Sequence, residues 1–168
     1  TLALGSEARV TLLLPHEPFL DAGRSDVNAN SVVARVESGR VHVLFTGDAE
    51  RPTEQRLLAE QTAGTLAADV LKVAHHGSRF ASSAALVDAV HPRFAVISCG
   101  AGNGYGHPHA ATLNLLAARG VVLHRTDLEG DVSLTTDGAS VSLEGTRVAD
   151  PVSLGTPGTR RRGANEPN

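Results

Sequence analysis

Two adjacent histidines, His75 and His76, end the short apolar run 70–73 and are followed by Gly77. Neutral imidazole is the commonest side-chain ligand for borderline metals, and it also moves protons near neutral pH. Neighbours in an extended segment point opposite ways, so one histidine can ligate while the other faces a substrate. Gly77 permits a sharp turn or close ligand approach. The plainer reading is a polar strand end with two part-exposed histidines. Upstream, the apolar run 41–46 ends in Gly47-Asp48. An ionised carboxylate there is a hard oxygen ligand. Aspartate is also a common helix N-cap, and a helix is expected next, so on local sequence the cap reading leads. Downstream, the run 94–98 enters a glycine-rich loop carrying Asn103, Tyr105, His107 and His109. Its glycines let backbone amides approach an anion. His107 falls at the expected start of a helix, where it could hydrogen-bond a phosphate or act as an acid; the alternative is a simple His-Pro turn. His16, His42, His91 and His124 read as surface or structural residues.

Three apolar runs in succession thus deliver polar, metal-competent side chains at their carboxyl ends. In α/β sheets, ligands bind beyond those ends. The elements that must do the positioning follow from periodicity and punctuation. Strands are expected at 9–14, 31–36, 40–46, 69–73, 93–98 and 121–124, with a hairpin turn at Ser38-Gly39. The segment 15–30 reads as a loop. Helices are expected at 51–62, with Pro52 early and Gly64 as the cap beyond its end, and at 83–90, capped by Ser82 or Ser83. A third helix opens at Pro108 and closes at Gly120, with Leu113, Leu116 and Ala117 inward. A last hairpin, 131–135 with 139–143, turns at Asp137-Gly138. The order points to an α/β fold in mixed α+β layers, with residues 1–147 as one unit and 148–168 as a disordered tail.

Composition narrows the function classes. The chain has 168 residues, 41% hydrophobic and 20% charged, an ordinary globular balance. The net charge is −3, so no basic nucleic-acid footprint exists, which weighs against tight, charge-driven DNA binding. One cysteine, Cys99, excludes an internal disulfide. No apolar run is long enough to span a membrane, and no signal peptide is evident. Gly100-Ala-Gly102 lacks the third glycine of a dinucleotide fingerprint, and no Gly-x-Ser-x-Gly elbow is present. His-x-His-x-Asp-His and His-Glu-x-x-His are also absent. A two-metal hydrolase needs three to four protein ligands per metal, so Asp48 plus one histidine cannot hold a dinuclear centre alone.

The motifs, in their order, resemble a known family. Asn30-Ser-Val-Val33, Leu44-Phe-Thr-Gly-Asp48, Asp69-Val-Leu-Lys-Val-Ala-His-His-Gly-Ser78, Asn103-x-Tyr-Gly-His-Pro108 and Arg125-Thr-Asp127 with Gly130 are similar to the metallo-β-lactamase-fold domain of ComEC-type competence proteins. The resemblance covers residues 8–145 and matches only the carboxyl-terminal half of that domain. It implies half of an αββα sandwich with a site for Zn²⁺ or Mn²⁺ at the sheet edge. Asp48 would be the bridging carboxylate and His76 a ligand, because the family's ligand directly precedes a glycine. His75 would face the substrate phosphate as a catalytic residue, and Asn103, Tyr105 and His107 would bind substrate. The implied activity is a phosphodiesterase or nuclease acting on single-stranded DNA during uptake. It would work at the extracytoplasmic face of a polytopic parent whose membrane channel domain is a partner. On this expectation the isolated chain is inactive. The alternatives are a non-catalytic remnant or partner module, marked by an uncovered apolar sheet face, and a hydrolase of a small phosphodiester.

Overall fold

The computed structural model describes residues 1–4, 8–21 and 26–147; the expected tail at 148–168 lies outside them. Among the described residues are two sheets and six α-helices. Seven strands form one mixed sheet in sequence order: β1 (Leu2–Leu4), β2 (Ala8–Leu14), β3 (Val33–Ser38), β4 (Val41–Phe45), β5 (Val70–Lys72), β6 (Phe94–Ile97) and β7 (Val122–Arg125). β1 to β4 pair antiparallel, and β4 to β7 pair parallel. The hairpin expected at Ser38-Gly39 therefore forms. The change to parallel pairing demands crossovers, which the helices supply.

The helices are α1 (Asp26–Ala29), α2 (Arg51–Glu60), α3 (Ala63–Leu66), α4 (Ala84–Val90), α5 (Ala110–Ala117) and α6 (Thr126–Glu129). Register assigns each strand residue to a face of the sheet. Leu44, Leu71, Ala95 and Ile97 share one face and are fully buried against Leu57 of α2, Leu66 of α3, Leu86, Val87 and Val90 of α4, and Leu116 of α5. Each such leucine, isoleucine or valine taken wholly from water contributes about 1.5–3 kcal/mol, and this layer fixes the strand ends that carry the site.

The opposite face is unlike it. Leu12, Phe45 and Val122 lie there and are 59%, 45% and 52% exposed. β8 (Val132–Thr136) and β9 (Val141–Gly145) form a separate antiparallel hairpin. The hairpin leaves β7 through α6, and its turn reaches the β3–β4 turn, where the Arg40 N–H donates to the Gly138 carbonyl at 2.7 Å. It thus crosses the sheet. Val43 and Val70, on this same face, are buried yet stand outside the helix-side core.

Several expectations need correction. The 15–30 segment contains the short α1, where Thr53 donates its hydroxyl to the Ala29 carbonyl. Gly64 does not cap α2; Gln61 does, and Gly64 sits inside α3, whose N-cap is Thr62. α5 begins at Ala110 rather than Pro108, with His109 as N-cap. Leu116 is inward and Leu113 packs half-buried against the core as expected, but Ala117 is exposed and Thr112 is the second fully buried residue. β1 and α6, both too short for a periodic pattern, were unforeseen.

Candidate functional site

The pair His75 and His76 is not extended. Both lie in a 3-10 turn, Ala74–Gly77, directly after β5, with left-handed dihedrals: φ 46 and ψ 49 at His75, φ 54 and ψ 23 at His76. The expectation of opposite-pointing neighbours fails for that reason. Instead the two rings meet edge to face with centroids 6.2 Å apart, and His107 joins them at 5.7 and 6.4 Å. Two L-residues in succession at positive φ require support. The His75 N–H donates to the Gly47 carbonyl at 3.0 Å, and the Ser78 N–H donates to the His75 carbonyl at 2.8 Å. Thr112 donates its hydroxyl to the Ser78 carbonyl at 3.1 Å. Gly77 (φ +80) packs so close to the 107–109 segment that a Cβ there would stand 2.7 Å from the Pro108 Cβ.

Asp48 follows β4 in a turn whose φ +51 residue is Gly47. The N-cap of α2 is Glu50, without a side-chain cap bond, so Asp48 is not the helix cap that local sequence favoured. Its own N–H donates to the Ser31 hydroxyl at 3.2 Å, and its Oδ1 stands 3.6 Å from His76 Nε2. His76 Nδ1 lies 2.6 Å from the carbonyl of Ser98, the residue after β6. A carbonyl accepts only from a protonated Nδ1, so this bond leaves the Nε2 lone pair of a neutral ring directed at Asp48.

Glu50, a residue that sequence reasoning passed over, brings Oε1 to 3.1 Å from His75 Nδ1. The angle is outside hydrogen-bond geometry, so that buried nitrogen has no hydrogen-bond partner. The signal that could have found it is its place two residues after Asp48, at the same strand end. Lys72, the chain's only lysine, ends β5; burial pushes its ammonium below the ordinary value, and the Asp48 carboxylate opposes that shift.

The glycine-rich loop closes the other side. Asn103 spends its side chain on the loop itself: Nδ2 donates to the Gly100 and His107 carbonyls at 2.9 and 2.6 Å, and Oδ1 accepts from the Tyr105 and His107 N–H groups. It therefore shapes the loop rather than projecting from it. Thr126 ties the loop's start to α6 through paired bonds with the Cys99 N–H and carbonyl, both 2.9 Å. Tyr105 is 86% exposed and its ring stacks on His107 at 5.9 Å. His107 lies ahead of the α5 N-cap rather than in the helix's first turn. Burial lowers its pKa first, and the neighbouring His75, His76 and His109 lower it further. Together His76, Ser98, Asn103, Tyr105 and His107 wall a cleft of about 300 Å³.

The structure therefore brings Asp48, His75, His76 and His107 to one place, with Tyr105 at its mouth. Among the described residues no group of three or more His, Cys, Asp or Glu side chains is arranged to hold a metal ion. Asp48 and His76 offer one oxygen and one nitrogen donor, a fitting but partial set for Zn²⁺ or Mn²⁺.

No protein-family model matches the chain. Over 123 residues, 73% of its length, it is 38% identical to Competence protein ComA of Neisseria gonorrhoeae, of which that stretch is 18%. It is 36% identical over 105 residues to ComE operon protein 3 of Bacillus subtilis, covering 62% of this chain and 13% of the relative. A third similarity, 36% over 121 residues, is to Recombination protein 2 of Haemophilus influenzae, covering 72% and 14%. The chain thus spans less than a fifth of the length of these curated relatives.

Proposed function

The chain belongs with one segment of the ComEC-type competence proteins, and from that premise we propose that it is the carboxyl-terminal half of a metal-dependent phosphodiesterase domain, of metallo-β-lactamase type, acting in DNA uptake. One observation carries the metal part of the reading: Asp48 Oδ1 and His76 Nε2 face each other at 3.6 Å, while Ser98 holds the far nitrogen of the same ring. Ligating histidines are commonly oriented by such a bond on the second nitrogen. Asp48 and His76 would be this chain's share of a Zn²⁺ or Mn²⁺ site, with further ligands from another segment. The bound metal would supply a hydroxide at neutral pH and neutralise charge on the phosphoryl oxygens. His75 and His107 would orient the phosphate by hydrogen bonds. Asn103 would keep the loop in the shape that places His107 and Tyr105. In a polytopic parent the domain would stand at the extracytoplasmic face beside the channel helices; no described helix of this chain is long and apolar enough to cross a membrane.

The test is to extend the chain with the sequence encoded ahead of it and assay cleavage of single-stranded DNA with Mn²⁺ or Zn²⁺. Asp48→Ala and His76→Ala should each abolish metal-dependent cleavage. Full activity in either variant overturns the ligand assignment. Running a small chromogenic phosphodiester in parallel separates DNA from a head-group substrate.

A second reading, a partner module without catalysis, draws on the part of this sheet face left exposed at Leu12, Phe45 and Val122 beyond the buried Val43 and Val70. A second β layer, the other half of the sandwich, is the occupant that such a face fits. A monomeric, cooperatively folding chain that binds Mn²⁺ or Zn²⁺ tightly by itself would rule this reading out.

A further inference from the structure

We propose that Arg51 and Arg79 form a phosphate subsite beside the Asp48–His76 pair, one that grips the backbone of a single-stranded nucleic acid. The inference rests on the phosphodiesterase reading and names its substrate as a polymer. Arg51 opens α2, three residues beyond Asp48 and next to Glu50, which touches His75. Arg79 leaves the histidine turn three residues beyond His76. Both line one cleft of about 220 Å³, with Ser82, Ser83 and Thr112 among its walls and no carboxylate.

Charge makes the cleft more than a dent. Arg35, Arg56, Arg119 and Arg125 are each tied to a carboxylate within 4 Å. Among the described residues Arg9, Arg40, Arg51, Arg79, Arg93 and Arg147 have no ion-pair partner, and of these Arg51 and Arg79 share the wall of this cleft. Arg79 lies over the Phe80 ring at 4.7 Å. Glu54, one turn along α2, makes no ion pair with either arginine among the described residues; its oxygens accept the Ser82 and Ser83 N–H groups. A planar guanidinium matches two phosphate oxygens at once, so two of them in a concave site suit a phosphodiester.

Placement identifies the polymer. His76 walls one cleft with Tyr105 and His107, and Arg79, three residues further along the chain, walls the other. A small phosphodiester seated at Asp48 and His76 has no second phosphate to offer Arg51 and Arg79. A strand does. A second phosphate for the arginines and a base for the exposed face of Tyr105 are the combination by which single strands are held. A membrane surface is a poorer fit, because anionic lipid binding draws on clusters of four to eight cations. Here two arginines sit in a recess of a chain with net charge −3.

The experiment measures binding of a fluorescent twelve-nucleotide oligothymidylate to the full 168-residue chain by anisotropy, in EDTA. Arg51→Gln and Arg79→Gln should each weaken binding roughly tenfold. Each should also reduce the slope of log affinity against log salt by about 0.7. Arg9→Gln, on β2, should leave both unchanged. Circular dichroism confirms that each variant is folded. The proposal is overturned if the double variant binds like the parent chain, if Arg9→Gln weakens binding equally, or if the parent chain fails to bind the oligonucleotide. Preference for phosphatidylserine vesicles over the oligonucleotide also overturns it. Because this binding needs no metal, loss of cleavage with intact arginine-dependent binding would count against the hydrolase reading alone.

Discussion

Glu54→Ala tests how the histidine turn is held. Glu54 is 2% exposed, within the helix layer. Its carboxylate accepts the Ser82 N–H and, at 2.9 Å, the Ser83 N–H. The Ser82 hydroxyl in turn accepts the Ala74 N–H at 3.3 Å, immediately before His75. Truncation leaves two inward backbone N–H groups without an acceptor, each worth about 1–3 kcal/mol, and opens a small void beside Leu57. The sum is about 3 kcal/mol, a large share of the roughly 5–15 kcal/mol that holds a domain together. Glu54→Gln retains one carbonyl oxygen and should lose about half as much. For a chain of this size the alanine variant should melt on the order of 10 °C lower. The chain has no tryptophan, so far-UV circular dichroism in urea is the readout. An alanine variant within about 0.5 kcal/mol of the parent, or a glutamine variant equally damaged, would refute the reasoning.

Two further outcomes follow from the same region. Gly77→Ala should destabilise the fold by about 2 kcal/mol or more, because φ +80 disfavours a Cβ and that atom would meet Pro108 at 2.7 Å; a melting curve unchanged from the parent would contradict this. Burial, reinforced by Asp127, pushes the Cys99 thiol up to about 11 from an ordinary 9.0. The folded state therefore holds this proton more tightly than the unfolded chain, so stability should fall as pH rises from about 9 to about 11. Iodoacetamide labelling of the folded chain should be slow at pH 8 and accelerate only above pH 10, and fast labelling at pH 8 would contradict the environment described.

The parts of the fold that could be read ahead were those with strong local rules. Alternating β-branched runs marked the central strands, and Ser83 and the Leu86, Val87, Val90 stripe marked α4. What escaped depended on contacts distant in sequence. A glutamate in the first turn of an expected helix carries no local sign of burial, and the later Ser82-Ser83 segment makes its burial favourable. The start of α5 slipped by two residues because Pro108 looks like a first-turn proline, whereas His109 Nδ1 takes the Ala111 N–H as the cap. The site was legible as a set of strand ends. Its geometry was not, because an adjacent pair at positive φ contradicts the usual preference of L-residues.

That contradiction is informative. A non-glycine residue in the left-handed region costs about 1–2 kcal/mol, and His75 and His76 adopt it in succession. Such outliers persist where surrounding structure over-determines them, and they gather at functional sites. An extended pair would turn its rings to opposite sides; the strained pair brings both against His107, with His76 facing Asp48 and His75 facing Glu50. If the strain serves the site, relieving it should help the fold and harm the chemistry. His75→Asn offers that separation. Asparagine tolerates the left-handed region, and the substitution removes the buried Nδ1 that has no hydrogen-bond partner. The variant should match or exceed the parent's stability by up to about 1 kcal/mol in urea. In the extended, metal-loaded protein it should lose most cleavage. A variant that is destabilised by more than about 1 kcal/mol would mean that the His75 ring holds the turn together, and its geometry would then be structural rather than a device for aiming three imidazoles at one space.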